Sequence, residues 1–284
     1  MSSWSPSEFF ESRRIGNATV TVICDGSFAW APRIQAPEVD WRRAMPEADA
    51  DGVLPIDLNV AHIRVGDASI LVDLGFEDQP PALQAREARL RRSPGVVAGL
   101  AGIGVRPEQI THVAITHAHG DHFAGAAVER DGQMVARYPR ARHLIGRADW
   151  NGHPTRNQPG SLLAMHLGTI ERSGLLDLVD GDEEIVPGVT MIHAPGESPG
   201  HSIVRVRSAG ESFYYLGDLF HHTCEVACLD WVPAGRDSAA TLASRERLIA
   251  EAVPANATMV FTHQPFPAWG RIVRDEAGFR WEEV

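Results

Sequence analysis

Thr116-His117-Ala118-His119-Gly120-Asp121-His122 follows directly on a strand-sized apolar run that ends at Ile115. The backbone must leave a buried strand here and deliver three imidazoles and a carboxylate within six residues, which restricts the folds the chain can adopt. Side chains alternate along an extended segment, so His117 and His119 point to the same side and can grip one ion together. If a helix begins near Asp121, the change of backbone direction turns Asp121 and His122 away from that pair and toward a second ion. Neutral imidazole with carboxylate is the donor set that zinc and related divalent ions prefer. The chain has 13 histidines in 284 residues, and their concentration behind one apolar run argues against a merely solvated loop. The spacing excludes the helical HExxH arrangement, whose two histidines lie four apart.

Elsewhere, short apolar runs bounded by turn residues recur at Thr19 to Ile23, Val60 to Val65, Ser69 to Leu74, His112 to Ile115, Val189 to Ile192, Ser202 to Val206, Phe213 to Leu216 and Met259 to Phe261. Each has the length of a strand, and most are rich in β-branched or aromatic residues. Turn residues at Gly66-Asp67 and at Ser208-Ala209-Gly210 predict two antiparallel hairpins. Helical patterns cover Pro81 to Arg92, Leu162 to Ser173 and Asp237 to Val253, the last with Asp237 as its cap and Pro254 beyond its end. Interspersed strands and helices predict an α/β protein with mixed sheets. A length of 284 residues allows one large domain or two small ones. With no Gly/Ser/Pro-rich linker and no fixed-period repeat, a single domain over residues 1–284 is expected. Met45 to Leu58, acidic and with two prolines, reads as a long loop that either covers a site or is a plain surface excursion.

Composition narrows the function classes. The chain has 26 Lys and Arg against 37 Asp and Glu, a net charge of −11. Such a surface repels phosphate backbones and anionic membranes, so neither nucleic acid nor a membrane is an expected partner. Basic strips at Arg13-Arg14 and Arg86 to Arg92 read as solvated faces. Cys24, Cys224 and Cys228 are odd in number and lack a CxxC pair, which predicts buried free thiols and neither a disulfide framework nor a thiolate zinc site. With no secretory h-region and no run of 18 apolar residues, a soluble, cytoplasmic protein is expected.

The segment His117, His119, Asp121, His122 resembles the HxHxDH signature of the metallo-β-lactamase fold superfamily, with Gly125 in the usual trailing position. Further stations of that superfamily occur in order: His201 in Ala194-Pro195-Gly196-Glu197-Ser198-Pro199-Gly200-His201, Asp218 in Tyr215-Leu216-Gly217-Asp218, and His263 in Phe261-Thr262-His263. Leu71-Val72-Asp73-Leu74-Gly75 looks like the early Asp-containing turn of these proteins. The resemblance implies a four-layer αββα sandwich of two mixed β-sheets with helices on the outer faces. It further implies that His117, His119 and His201 hold one metal, that Asp121, His122 and His263 hold the other, and that Asp218 bridges them. Two cations so close repel unless anionic ligands lie between them. Asp73 is expected to orient the ligand loop by hydrogen bonding.

Two divalent ions, zinc foremost with manganese, iron or cobalt as alternatives, imply a hydroxide shared between them as nucleophile and hydrolysis as the reaction. A nucleophilic serine is not expected, because it would leave the clustered histidines unexplained. Thr262-His263-Gln264-Pro265-Phe266-Pro267-Ala268-Trp269-Gly270 looks like the C-terminal segment of the branch containing methyl parathion hydrolase, lactonases and esterases. On that likeness Phe266 and Trp269 would wall an apolar pocket. Acyl-homoserine lactonases often carry a tyrosine three residues after the bridging Asp, and this chain has His221 there. His221 or its neighbour His222 is then a candidate proton donor to the leaving group, alongside Asp121 and Asp218 as catalytic candidates. The expected activity is opening of a lactone or cleavage of an ester of a small, partly apolar molecule. An organophosphate triesterase or thioesterase on the same site is the near alternative, and a mononuclear iron persulfide dioxygenase the one from another class. A homodimer is compatible with the chain.

Overall fold

A computed structural model of the chain describes residues 8–77 and 94–284. The helical pattern Pro81 to Arg92 and the basic strip Arg86 to Arg92 lie outside them. Among the described residues, the first nine strands are β1 (Phe10–Ile15), β2 (Ala18–Trp30), β3 (Leu54–Val65), β4 (Ala68–Val72), β5 (His112–Ile115), β6 (Ala127–Arg130), β7 (Gln133–Ala136), β8 (Arg142–Gly146) and β9 (Leu176–Val179). Strands β6 and β7 pair with each other, and the other seven form one sheet in the order β1-β2-β3-β4-β5-β8-β9. A second seven-stranded sheet runs in sequence order through β10 (Glu183–Val186), β11 (Val189–His193), β12 (Ser202–Ser208), β13 (Glu211–Tyr215), β14 (Thr258–Val260), β15 (Gly270–Asp275) and β16 (Gly278–Glu283). Strands β4, β5, β8 and β9 are parallel neighbours, as are β13 and β14, and the remaining pairs are antiparallel, so both sheets are mixed.

Strand alternation explains how the layers stack. On β4, Ile70 and Val72 face the second sheet while Leu71 faces outward, and on β13, Phe213 and Tyr215 face the first sheet while Tyr214 faces outward. Val20, Val22, Ile63, Val204, Val206 and Val260 complete the core between the sheets. Each such side chain, taken out of water, contributes about 1.5–3 kcal/mol of transfer free energy. Leu100, Phe123, Trp150, Leu163 and Ile170 cover the outer face of the first sheet, and Leu248, Ile249 and Ala252 of the helix Ser238–Ala252 cover that of the second. The arrangement is the expected αββα sandwich.

Both expected hairpins are present. Val65 pairs with Ala68 across Gly66-Asp67, and Ser208 with Glu211 across Ala209-Gly210, where both turn residues have positive φ as a type I′ turn requires. Asp237 caps the helix Ser238–Ala252, its carboxylate accepting from the Ala240 amide at 3.0 Å. The pattern Leu162 to Ser173 splits at His166 into two short helices, Leu162–Met165 and Leu167–Arg172. The loop expected over Met45 to Leu58 ends at Val53, because Leu54 already opens β3. None of the three cysteines forms a disulfide, but only Cys24 is buried, and Cys224 and Cys228 are half-buried. Among the described residues no helix is long and apolar enough to cross a membrane.

Two buried imidazoles outside the site make stability pH-dependent. His62 on β3 lies 2.8 Å from Ser69 Oγ, and His143 on β8 lies 3.0 Å from the Ala141 carbonyl. Burial depresses both pKa values to about 4, with Arg64 adding to the effect at His62. The unfolded chain therefore binds more protons between about pH 4 and the ordinary histidine value near 6.5, so their contribution is complete above that value and is lost as pH falls through the folded pKa. Going from pH 7 to pH 5 should cost roughly 2 kcal/mol for each group. Urea unfolding at both pH values checks this: His62→Asn and His143→Asn should each flatten the pH slope, and an unchanged slope in both variants would contradict the assignment.

Candidate metal centre

The parallel pairings decide where the functional side chains gather. Because β4 and β5 run the same way, Asp73 and the 116–122 segment leave the first sheet on one edge, and Asp218 and His263 leave the second sheet together after the parallel pair β13 and β14. Two backbone links bring these edges into contact: the Ser202 amide donates to the Thr116 carbonyl at 2.9 Å, and the Asn59 amide to the Thr262 carbonyl at 2.9 Å. Gly217 has φ +53°, and a Cβ there would lie 2.9 Å from His201 Nε2 and 3.0 Å from Thr116 Cβ, so a side chain would push the two edges apart just before Asp218.

His119 is extended and the helix Gly120–Phe123 begins directly after it, as the change of direction requires. His117 Nε2 and His119 Nδ1 converge to 2.7 Å. Asp121 and His122 turn away from them, and His122 Nε2, Asp121 Oδ2 and His263 Nε2 form a second convergence, with 3.5 Å from the first to the second and 3.6 Å from the second to the third. Asp218 stands between. Its Oδ2 lies 3.7 Å from His117 Nε2 and 3.3 Å from His263 Nε2, while its Oδ1 lies 3.4 Å from His122 Nε2 and 3.2 Å from His263 Nε2. His201 is buried beside His117, their rings 5.2 Å apart, and its Nε2 meets the Asp218 amide at 3.1 Å while its Nδ1 meets the Ala194 carbonyl at 2.8 Å.

Asp73 is fully buried with φ +58° and holds the ligand loop. It accepts from the Thr116 amide at 2.8 Å and from Thr116 Oγ1 at 2.9 Å, and its Oδ2 lies 2.7 Å from His122 Nδ1. His122 thereby keeps Nε2 aimed at Asp121 and Asp218.

Burial holds His117 well below the ordinary histidine pKa, with His122 and His119 adding to it, and also lowers His119 and His201 against the pull of nearby carboxylates and hydrogen bonds. These three are neutral imidazoles near pH 7, the protonation state that binds metal. For His122, burial opposes protonation, but the charges of Asp218, Asp121 and Asp73 hold its pKa well above the ordinary value. Burial likewise opposes ionisation of Asp218, yet His263, His122 and His221 keep its carboxyl well below its usual range. His122 Nε2 and Asp218 Oδ1 are buried and hydrogen-bond to no protein atom. Such a surplus of carboxylate facing unpaired buried donors fits divalent cations.

The family model of the metallo-beta-lactamase superfamily matches residues 57–263. The chain belongs to that superfamily. It is 26% identical over 184 residues to an N-acyl homoserine lactonase of Bacillus cereus, a match covering 64% of each chain. The chain therefore spans somewhat under two thirds of that relative's length. Among solved structures, a probable metal-dependent hydrolase from Staphylococcus aureus superposes with a TM-score of 0.79 at 21% identity, covering 96% of this chain and 99% of that one. AidC, a dizinc quorum-quenching lactonase solved with a product, superposes with a TM-score of 0.74 at 20% identity, covering 97% of both chains.

Beyond the superfamily signature, the site contains residues the motif does not announce. Glu197 joins His117, His119 and Asp218 in a group whose donor atoms lie within 4.8 Å of one another. Asp149 ties the two ligand loops together: its carboxylate accepts from the Ala118 amide at 3.0 Å, from Ser198 Oγ at 2.7 Å and from the Gly200 amide at 2.6 Å. Gly196-Glu197-Ser198-Pro199-Gly200 does spell the G-x-S-x-G pattern of a serine nucleophile, but Ser198 Oγ is bonded to Asp149 and to no histidine, so the segment lacks the required base. No sequence signal separates Asp149 from other surface-like acids.

His221 lies sandwiched between Trp30, 5.3 Å away, and His263, 5.6 Å away, both rings nearly parallel to it. Its Nε2 is 3.4 Å from Asp218 Oδ2 and 3.8 Å from Glu197 Oε2. His222 points elsewhere: its Nε2 meets Glu47 at 2.6 Å, which also brings the Met45 to Val53 loop to the rim of the site. The Trp269 ring belongs to the core between the sheets, with Phe266 packed against it, and the cleft that both line closes on Trp281 and Val284 and includes none of the clustered side chains. Phe266 and Trp269 thus wall a cleft that lies apart from the clustered side chains. A cleft of ≈ 290 Å³ instead opens beside His119, lined by Ala118, Ala148, Gly152, His153, Pro154 and Pro199.

Proposed function

We propose that the protein is a metal-dependent hydrolase that opens a lactone or cleaves an ester of a small, partly apolar substrate. The observation that carries this reading is the Asp218 carboxylate, which lies between the two converging sets of donors, within 3.7 Å of His117 Nε2 on one side and within 3.4 Å of His122 Nε2 and 3.2 Å of His263 Nε2 on the other. In this reading His117, His119 and His201 would hold one ion, Asp121, His122 and His263 would hold the other, and Asp218 would serve both. When bound, two divalent ions lower the pKa of water to near neutrality and polarise a carbonyl oxygen. The chain's own residues do the rest. His119, 38% exposed at its side chain, marks the open side of the site, and the cleft beside it takes the apolar arm of the substrate. Trp30 and His263 fix the His221 ring by stacking. His221 Nε2, 3.4 Å from Asp218 Oδ2, is thereby placed to pass a proton to the departing alkoxide.

The curated relatives named as lactonases support a lactone as the first substrate to try. Metal analysis combined with a panel of lactones, aryl esters, thioesters and phosphotriesters tests the proposal. About two ions per chain are expected. Chelation should abolish turnover, and zinc, manganese or cobalt should restore it. One tightly held iron with oxygen uptake would overturn the reading in favour of a dioxygenase.

A further inference from the structure

Glu197 occupies a position that the superfamily signature does not describe. Its side chain is 3% exposed, its Oε1 lies 3.2 Å from His119 Nδ1, and its Oε2 lies 3.8 Å from His221 Nε2. His119 Nδ1 is the same nitrogen that converges with His117 Nε2. The carboxylate therefore points at the spot where these two imidazoles meet.

The placement is built and not incidental. Gly196 has φ +142°, and a Cβ there would come within 2.5 Å of the Thr241 amide nitrogen, so the chain is pressed against the start of the helix Ser238–Ala252 just before Glu197. Asp149 fastens the residues that follow, through Ser198 and Gly200, and fastens Ala118 between the two imidazoles at the same time. Arg236 Nη2 sits 2.6 Å from Glu197 Oε1, yet that oxygen is buried and makes no aligned hydrogen bond. An ionised carboxylate offers about four lone-pair sites, so one paired with a single guanidinium keeps the capacity to coordinate a cation.

We propose that Glu197 donates a carboxylate oxygen to the ion held by His117 and His119, with Arg236 as the cation that competes for it. This rests on the metal-dependent reading above. The first ion position then offers oxygen from both Glu197 and Asp218 beside its imidazoles, which shifts its preference toward ions that favour oxygen donors, manganese before zinc.

The test uses the full chain, loaded with zinc or with manganese, and reads ion content and affinity by competition with a chromophoric chelator. Wild type should bind two ions per chain. Glu197→Gln, nearly isosteric, and Glu197→Asp, which withdraws the carboxylate by one methylene, should each weaken one of the two ions by at least about tenfold, the loss expected even for residues that only support a ligand. The loss should be larger for manganese than for zinc, and the visible absorption of the cobalt-loaded protein should change. Arg236→Gln should bind at least as tightly as wild type. If both Glu197 variants keep two ions within about threefold of wild-type affinity, the assignment is overturned while the metal reading stands. If Arg236→Gln weakens binding as much as Glu197→Gln, the two residues act as a structural pair and the donor role is overturned. A wild-type chain that takes up no ion overturns the metal reading itself and this assignment with it.

Discussion

Asp218→Asn should reduce turnover of any substrate the protein accepts by at least about 10²–10³-fold, the range seen when one preorganised electrostatic group is lost from an active site. The argument is geometric. The carboxylate lies between the two donor sets, and an amide offers only one oxygen and replaces the other by N–H groups that repel a cation. Ion content should fall as well. Asp73→Asn is the informative comparison, because Asp73 touches the site only through Thr116 and His122. A loss of about 10–100-fold is expected there, typical of a residue that orients a ligand. Equal and small losses in both variants would mean that the bridging position is misassigned.

Arg245→Met should destabilise the fold by about 3–5 kcal/mol, the cost of breaking a buried ion pair by removing one partner. Arg245, 1% exposed, lies on the helix Ser238–Ala252 and donates to the carbonyls of Leu219 at 2.8 Å, Leu229 at 3.0 Å and Trp231 at 2.7 Å, while its other nitrogen pairs with Glu225. Glu225 in turn accepts from the His221 amide at 3.2 Å. One guanidinium thus fixes the whole segment that carries His221, and its loss leaves Glu225 buried without its cation. Arg245→Lys should recover little, since an ammonium cannot reach carbonyls and a carboxylate arranged around a planar fork. Urea unfolding measures the difference, and a loss below about 1 kcal/mol would show that water compensates the missing donors.

How much of this was legible depends on where each element sits in the layers. The runs at His112 to Ile115 and Ser202 to Val206 become β5 and the start of β12 because both faces are buried, which makes a strand read as a continuous apolar stretch. Strands β1, β15 and β16 escaped the same reading. Of these, β1 and β16 are edge strands and β15 is the neighbour of one, and they carry Glu11, Arg13, Arg271, Arg274 and Glu282 in place of an apolar run. The dense motif from His117 to His122 announces itself because its spacing alone implies convergence. Glu197 does not, since its approach to His119 depends on how Asp149 laces two loops 80 residues apart, a tertiary fact with no local periodicity. His221 and His222 are chemically identical neighbours, and only the backbone path decides that one stacks on His263 while the other reaches Glu47.

The side chains proposed to hold the ions hang from both slabs of the sandwich, the 117–122 group from the first sheet and His201, Asp218 and His263 from the second. Their mutual distances are therefore a gauge of how one slab is registered on the other. A substitution deep in the shared interior, at Phe213 or Val72 for example, can displace half of the constellation without touching any member of it. Since a misplacement of about 1 Å can cost 10²-fold in rate, inactive variants with an intact coordination set are to be sought in that interior as much as at the rim.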